Sequence, residues 1–496
     1  MQLQEVEAPR TLVIGAGPAG LSAAYEFHRH GCSATVLEQG FQAGGLSRTE
    51  SYKGFLFDIG GHRFFTKVAV VERMWREILG DDLLLRPRLS RVFYHGQYYS
   101  YPLEPLETVL KLGIWESFLS MLSYVKAACM PIAEEKDLES WLINRFGVRL
   151  YQRFFKTYTE KVWGMPCSEI AAEWAAQRIR GLSIISLIKT TLAKFIPGFA
   201  GPQLKTLIDE FLYPRLGPGM MWEKTAELVG NVHYGHKVEK ILWSRSGVEG
   251  VVSGGKTWTA EQFITTMPMR TLVRCLEPKG PDYLDAVEKL RYRDFITVAV
   301  ILKMENPFPD NWIYVHDEEV RVGRIQNFKN WSPDMVPDPD LTCLGLEYFV
   351  FEGDDLWTAS NAELLTMAGK ELQILGLAKA NEVLDGTVIR EKKAYPVYDD
   401  AYAEAVRAVR RFLSEEVPNL QCVGRNGMHR YNNQDHSMLT GILAARNIMK
   451  LGEFNLWDVN ADEDYHEDGF RLTKEAINEF EESQPAVPHK IPARNA

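Results

Sequence analysis

The chain has little of what marks a secreted, metal-binding or nucleic-acid-binding protein. Its 496 residues include six cysteines: Cys32, Cys129, Cys167, Cys275, Cys343 and Cys422. No two form a CxxC pair and no His/Cys cluster has metal-ligand spacing, so neither a disulfide framework nor a metal site is expected. Reduced free thiols in a cytoplasmic chain are the simplest reading. Basic charge is not in excess. The formal net charge is −10, which leaves no basic face for a phosphate backbone and argues against nucleic acid as a partner. The opening MQLQEVEAPR carries acidic residues where a signal peptide carries basic ones. Long apolar runs are also missing. Val109 to Ile132 is broken by Lys111, Glu116 and Lys126, and Leu182 to Ala200 by Lys189 and Lys194. Neither supplies the ~18–20 uninterrupted apolar residues of a spanning helix. Both read as amphipathic helices of a globular lobe, with peripheral membrane contact a minor alternative.

What the chain does have is material for large cores, at 46% hydrophobic and 11% aromatic residues, enough for two or three domains. Thr11-Leu12-Val13-Ile14 reads as a strand and runs directly into Gly15-Ala16-Gly17-Pro18-Ala19-Gly20. Helical spacing follows over Leu21 to His30, and a second apolar run, Ala34 to Leu37, ends in Glu38. This is strand, glycine turn, helix, strand, acid. Gly15 permits the turn, Gly17 lets the backbone approach a pyrophosphate, and Gly20 allows helix and strand to pack closely. Glu38 can accept hydrogen bonds from ribose hydroxyls. A glycine pair past Glu38, Gly44-Gly45-Leu46, resembles the extension that carries the chain along the cofactor in flavoproteins of the glutathione-reductase type. Gly60-Gly61-His62 suits backbone pressed against a flat ring, with a β-turn between two strands as the alternative. Together they favour FAD over NAD.

The expected fold is α/β: a Rossmann-like FAD-binding domain with an inserted helical domain and an antiparallel β-sheet substrate domain. The FAD-binding domain is expected in three parts, 1–104, 205–270 and 415–455. The helical insertion spans 105–204, the sheet domain 271–414, and an acidic, proline-bearing tail 456–496.

Jointly, the motifs resemble UDP-galactopyranose mutases, flavoproteins of the wider amine oxidase and protoporphyrinogen oxidase clan. The resemblance runs from Gly15 to about Lys450. It rests on Gly60-Gly61-His62, Lys161-Val162-Trp163, Trp174 through Arg178, Arg324 with Asn330-Trp331-Ser332-Pro333, Ala394-Tyr395-Pro396, and Tyr431 with Asn433-Gln434-Asp435-His436-Ser437. It implies an isomerase that converts a nucleotide-linked sugar such as galactose between pyranose and furanose. N5 of reduced FAD would attack the anomeric carbon, with NAD(P)H as the expected reductant. Arg178 and Arg324 would hold the diphosphate, with His62 beside the flavin. Tyr101, Trp163, Tyr314, Tyr395 and Tyr431 would complete the substrate pocket. Gly15, Gly17, Gly20, Glu38, Gly45, Leu46, Gly60, Gly61, His62, Val238, Gly424, Arg425, Asn433, Gln434, Ser437 and Met438 would hold the cofactor.

The chain departs from that pattern in Tyr101-Pro102-Leu103-Glu104, where a Gln is usual soon after Tyr-Pro, and at Thr159, where an Asn is usual. Gly217-Pro218-Gly219-Met220-Met221 replaces a more glycine-rich segment. Nucleobase and sugar are therefore left open. Two alternatives stand beside the mutase: a redox oxidase or desaturase of the same fold, and an FAD-stabilised scaffold. A homo-oligomer is compatible with all three. Asp435-His436 is not read as a catalytic dyad, because adjacent side chains diverge in most backbones.

Overall fold

A computed structural model describes residues 8–101, 103–170, 210–399 and 401–460. The apolar run Thr11–Ile14 forms strand β1, buried at every position. Strands buried on both faces carry continuous rather than alternating hydrophobicity. β1 lies between β2 (Ala34–Leu37) and the strand Gln262–Thr265, parallel to both, with Val13 opposite Val36 and Ile264. Val232–His233 and Leu420–Cys422 form the edges of this five-stranded sheet. Helix α1 (Pro18–Arg29) makes the first crossover, with Pro18 at a first-turn position where a missing N–H costs nothing.

The helix Gln434–Ile448 packs on α1 at unusually short range. A Cβ on Gly441 would sit 2.0 Å from the Ala19 carbonyl oxygen, so only glycine lets the two backbones meet. Arg446 on that helix donates to Glu26 on α1 at 2.8 Å, both fully buried. Helix α2 (Ala69–Leu79) closes the layer, with the Trp75 indole N–H directed at the Met438 sulfur at 3.1 Å.

A second sheet has seven strands in the order Val383–Pro396, Tyr292–Leu302, Thr342–Val350, Arg324–Asn327, Trp312–Val315, Ser90–Tyr94 and Gln97–Ser100. All neighbours are antiparallel except Trp312–Val315 with Ser90–Tyr94. Residues 90–100, within the expected first part of the FAD-binding domain (1–104), thus pair into this second sheet. The reason is a set of contacts between distant segments. The Asn311 N–H donates to the Leu89 carbonyl and the His316 N–H to the Phe93 carbonyl, both at 2.9 Å. Arg91 also makes a two-pronged contact with buried Asp310 at 2.8 and 2.5 Å.

The helical lobe contains α3 (Pro105–Leu112), α4 (Ile114–Cys129), α5 (Leu138–Tyr151), a π-helical turn over Gln152–Lys156, and α6 (Thr157–Trp163). Among the described residues no helix is long and apolar enough to cross a membrane.

The strand leading to Gly60 ends in Asp58, which is fully buried. It accepts hydrogen bonds from the Tyr213 hydroxyl and, at 3.3 Å, from Thr49 Oγ1. Burial outweighs both bonds and pushes the carboxyl from 3.8 up to about 8. The folded protein therefore holds this proton more tightly than the unfolded chain. The stability it contributes is fully present below the unfolded value and is lost as pH rises through about 8. Asp58→Asn is expected to flatten this decline, which runs from 3.8 to about 8, as measured by chemical denaturation across that range. An unchanged pH dependence would show that Asp58 is ionised in the native state.

Candidate functional site

The nucleotide end of the site is built by backbone. Gly15 has φ +105°, and a Cβ there would meet Thr266 Oγ1 at 2.0 Å, so both its conformation and its neighbour demand glycine. Gly17 and Gly45 face each other, and a Cβ on Gly45 would sit 3.3 Å from the Gly17 Cα. Glu38 is pinned at the end of β2. One carboxylate oxygen accepts the Ala16 N–H at 2.8 Å and the other the Gly40 N–H at 2.7 Å. Each oxygen keeps a second lone pair for a ribose hydroxyl. Gly15→Ala is expected to yield folded but colourless protein on purification. Normal flavin absorbance in that variant would contradict the role of the cradle.

At the other end, Gln434 and Ser437 open the helix Gln434–Ile448, whose first-turn N–H groups and dipole suit an anionic or electron-rich group. Both amide atoms of Gln434 are buried without a hydrogen-bond partner, as is Nδ1 of His62. Buried orphans of this kind cost ~1–3 kcal/mol each unless a ligand pairs them, and a flavin supplies donors and acceptors along one edge. The narrow gap at Gly17 and Gly45, the free lone pairs of Glu38 and these orphans fit FAD. Gly424, Arg425 and Asn433 lie at the same end. Arg425 donates to the carbonyls of Asn432 at 2.9 Å and Ala394 at 3.2 Å, and its guanidinium lies over the rings of Tyr395 and Tyr431. Ser437 and Met438 are buried inside the helix contact. Val238 is a core residue paired with Ser253. Leu46 packs beside Ile59 and Tyr395.

The second sheet carries the other group of expected site residues. Arg324 sits opposite Tyr314 on one neighbouring strand and Glu347 on the other. Its Nε is engaged by the buried Glu347 carboxylate, whose other oxygen accepts the Gln326 amide at 2.9 Å. Glu347 thus orients the guanidinium. Gly60 is close to both side chains, since a Cβ there would lie 3.7 Å from Arg324 Nη2 and 3.9 Å from His62 Cε1. Tyr395 and Tyr431 stack at 5.6 Å and 18°. Tyr314 meets Tyr101 at 5.2 Å and Tyr158 at 5.4 Å. His62, Arg324, Tyr314, Tyr395 and Tyr431 thus occupy one neighbourhood, with Tyr101 half-exposed at its rim.

Tyr158 was not singled out in the sequence. It stacks on His316 at 5.0 Å and 5°, and it feels the charges of Arg324 and Glu347. Trp163, expected in the pocket, instead packs in the helical core with Trp141, Leu142 and Phe146. The Lys161-Val162-Trp163 motif serves attachment. Lys161 Nζ donates to the carbonyls of Asp317 at 2.6 Å and Val322 at 3.1 Å, and Arg293 grips those of Val162 and Phe349. These bonds fix α6, and with it Tyr158, against the sheet. A tyrosine one turn before a recognisable motif carries no distinguishing signal by itself. Arg178 and Trp174 lie outside the described residues.

Electrostatics sharpen the picture. Burial lowers His62 to about 3, and the neighbouring charges of Arg425 and Arg324 push it the same way, so its imidazole is neutral at any working pH. Burial raises Tyr395 to about 12, with Tyr431 adding to the shift and the two arginines opposing it. Its phenol stays protonated as a donor. His436 Nδ1 accepts the Asn433 N–H at 3.3 Å, so it is turned to its own helix terminus. Among the described residues this neighbourhood offers two guanidiniums, Arg324 and Arg425, against one carboxylate, Glu347, and thus favours an anion.

A family model described as flavin containing amine oxidoreductase matches residues 18–449. Protoporphyrinogen oxidase 2, chloroplastic/mitochondrial, of Arabidopsis thaliana is 21% identical over 479 residues, covering 86% of this chain and 91% of that protein. A protein named probable UDP-galactopyranose mutase, from Klebsiella pneumoniae, is 27% identical over 173 residues, covering 32% of this chain and 42% of that one. Among solved structures, a reduced UDP-galactopyranose mutase superposes with a TM-score of 0.77 at 20% identity, covering 92% of this chain and 98% of the other. That likeness establishes the α/β fold with its Rossmann-like FAD-binding domain. With its glycine cradle, its orphaned flavin-edge groups and a family match across most of its length, the chain belongs to the flavin-containing amine oxidoreductase family.

Proposed function

We propose that this protein is an FAD-dependent nucleotide-sugar mutase, interconverting pyranose and furanose forms, with NAD(P)H as reductant. The observation that carries the reading is the placement of Arg324. Its guanidinium is oriented by Glu347 through Nε, which leaves its remaining N–H groups beside Gly60 and His62 and near the phenols of Tyr395, Tyr158 and Tyr314. A forked cation among phenol donors suits a diphosphate, because charge and geometry are supplied together.

FAD, when bound and reduced, would supply the nucleophile that these side chains lack. The chain's own groups bind and orient. Arg324 and the tyrosines hold the departing diphosphate and stabilise its charge, Tyr395 in its protonated form. Neutral His62 holds the ring edge without repelling it. Tyr101 and Tyr158 line the outer part of the cleft, where the base and sugar would be distinguished.

A second reading is an oxidase within the same family, supported by the Arabidopsis relative and by the stacked aromatic pair Tyr395 and Tyr431. Binding separates the two. Under the mutase reading at least one of UDP, dTDP and GDP perturbs the flavin spectrum at micromolar concentration, whereas the matching nucleoside does not. If no diphosphate binds more tightly than its nucleoside, the mutase reading fails.

A further inference from the structure

The helical lobe carries a second cavity, separated from the cleft by the aromatic packing of Tyr94, Tyr99 and Phe154. It is an open groove of about 700 Å³, lined by Leu119, Leu122 and Val148 together with Lys126, Arg149 and Arg153. That volume is within the roughly 300–1,000 Å³ of small-molecule sites. Arg153 is presented by the π-helical turn that follows α5, an element that recurs at functional sites. Arg149 and Arg153 share the Glu116 carboxylate at 2.7 and 3.1 Å. Glu318 also lines the cavity. Three cations stand against two carboxylates, which leaves one positive charge uncompensated.

The apolar wall does not end at the cavity. Leu119, Leu122 and Lys126 share one face of α4, and that face continues outward through Trp115, Phe118 and Val125, which are 71%, 52% and 47% exposed. Ile114 and Leu110 extend it further, at 86% and 74% exposure. An exposed apolar stripe of this extent is unusual for a monomer. Here it starts at a cationic pocket.

We infer that this cavity binds one anionic amphiphile, its phosphate or carboxylate head among Lys126, Arg149 and Arg153 and its chain along the α4 face. A single molecule fits better than a bilayer. The chain carries net charge −10, so an anionic membrane surface would repel it.

Calorimetric titration of the flavin-loaded protein tests this with dodecyl phosphate below its micellar concentration, dodecyl maltoside and inorganic phosphate. Dodecyl phosphate is expected to bind at 1:1 and at least tenfold more tightly than either control. Lys126→Gln and Leu122→Asp should each weaken it about tenfold, with flavin content and melting temperature unchanged, since both side chains are exposed. Equal affinity for the maltoside would mean simple apolar adhesion and overturn the inference, as would absent binding. Co-sedimentation with phosphatidylcholine vesicles in place of 1:1 binding would assign the face to a bilayer. Loss of a dimer in Leu122→Asp without alkyl phosphate binding would assign it to a second copy; either result overturns the proposal.

Discussion

Replacing Arg324 with lysine is expected to lower nucleotide-diphosphate affinity, and kcat/KM with it, by roughly 10- to 100-fold, corresponding to ~1.5–3 kcal/mol for a lost charge-assisted contact. The fold should survive. Lysine keeps a positive charge against the buried Glu347 carboxylate but has no fork with which to grip two oxygens of the ligand at the same time. Alanine or methionine is a poorer probe. Either leaves Glu347 buried and unpaired, a defect worth ~3–5 kcal/mol of stability, so lost activity could reflect lost structure. Measured by ligand titration alongside denaturation, Arg324→Lys should separate binding from folding. Unchanged affinity for every diphosphate would show that the anion sits elsewhere.

The second large effect is on stability. Arg446→Met is expected to destabilise the protein by about 3 kcal/mol, the lower part of the range for breaking a buried pair. The lower part applies because Glu26 keeps two further partners, Arg29 and His30, each at 3.4 Å. Burial alone would raise Glu26. The hydrogen bond from His30 and the charges of Arg446 and Arg29 outweigh it and hold the carboxyl at about 2, against an ordinary 4.5. Its folded value is depressed, so its contribution to stability is present above the unfolded value and is lost as pH falls from 4.5 toward 2. Wild type should therefore weaken over that acidic window, and Glu26→Gln should weaken less steeply. The double replacement Glu26→Leu with Arg446→Met should recover much of the loss, since a packed apolar pair often matches a buried ionic one. A single Arg446→Met variant as stable as wild type would mean that the α1 contact does not depend on the pair.

How far these features are legible in sequence depends on how local their physics is. β1, α1 and β2 are readable because a parallel core strand is apolar throughout and its glycines answer local needs, the positive φ of Gly15 and the Gly15 carbonyl that crowds Gly20. The hairpin at residues 90–100 is not, because its sheet is chosen by Trp312–Val315 and Asp310, more than two hundred positions away. Arg446 and Glu26 read as solvated helix residues, and only the contact opened by Gly441 buries them. The Tyr395, Tyr431 and Arg324 blocks were found through resemblance, since no local spacing distinguishes a pocket tyrosine from a core one. Tyr158 escaped for the same reason. Trp163 packs in the core of the helical lobe, whose attachment to the sheet comes from Lys161 and Arg293.

The central claim is that this flavin-family site acts on a nucleotide sugar without net oxidation. The most direct measurement is to reduce the protein anaerobically, incubate it with a panel of UDP-, dTDP- and GDP-sugars, and separate the products by chromatography. A furanose isomer formed from one of them, with no oxygen consumed and the flavin still reduced, is the predicted result. Substrate-dependent flavin reduction with peroxide released on return to air, and no isomer from any sugar, would contradict it.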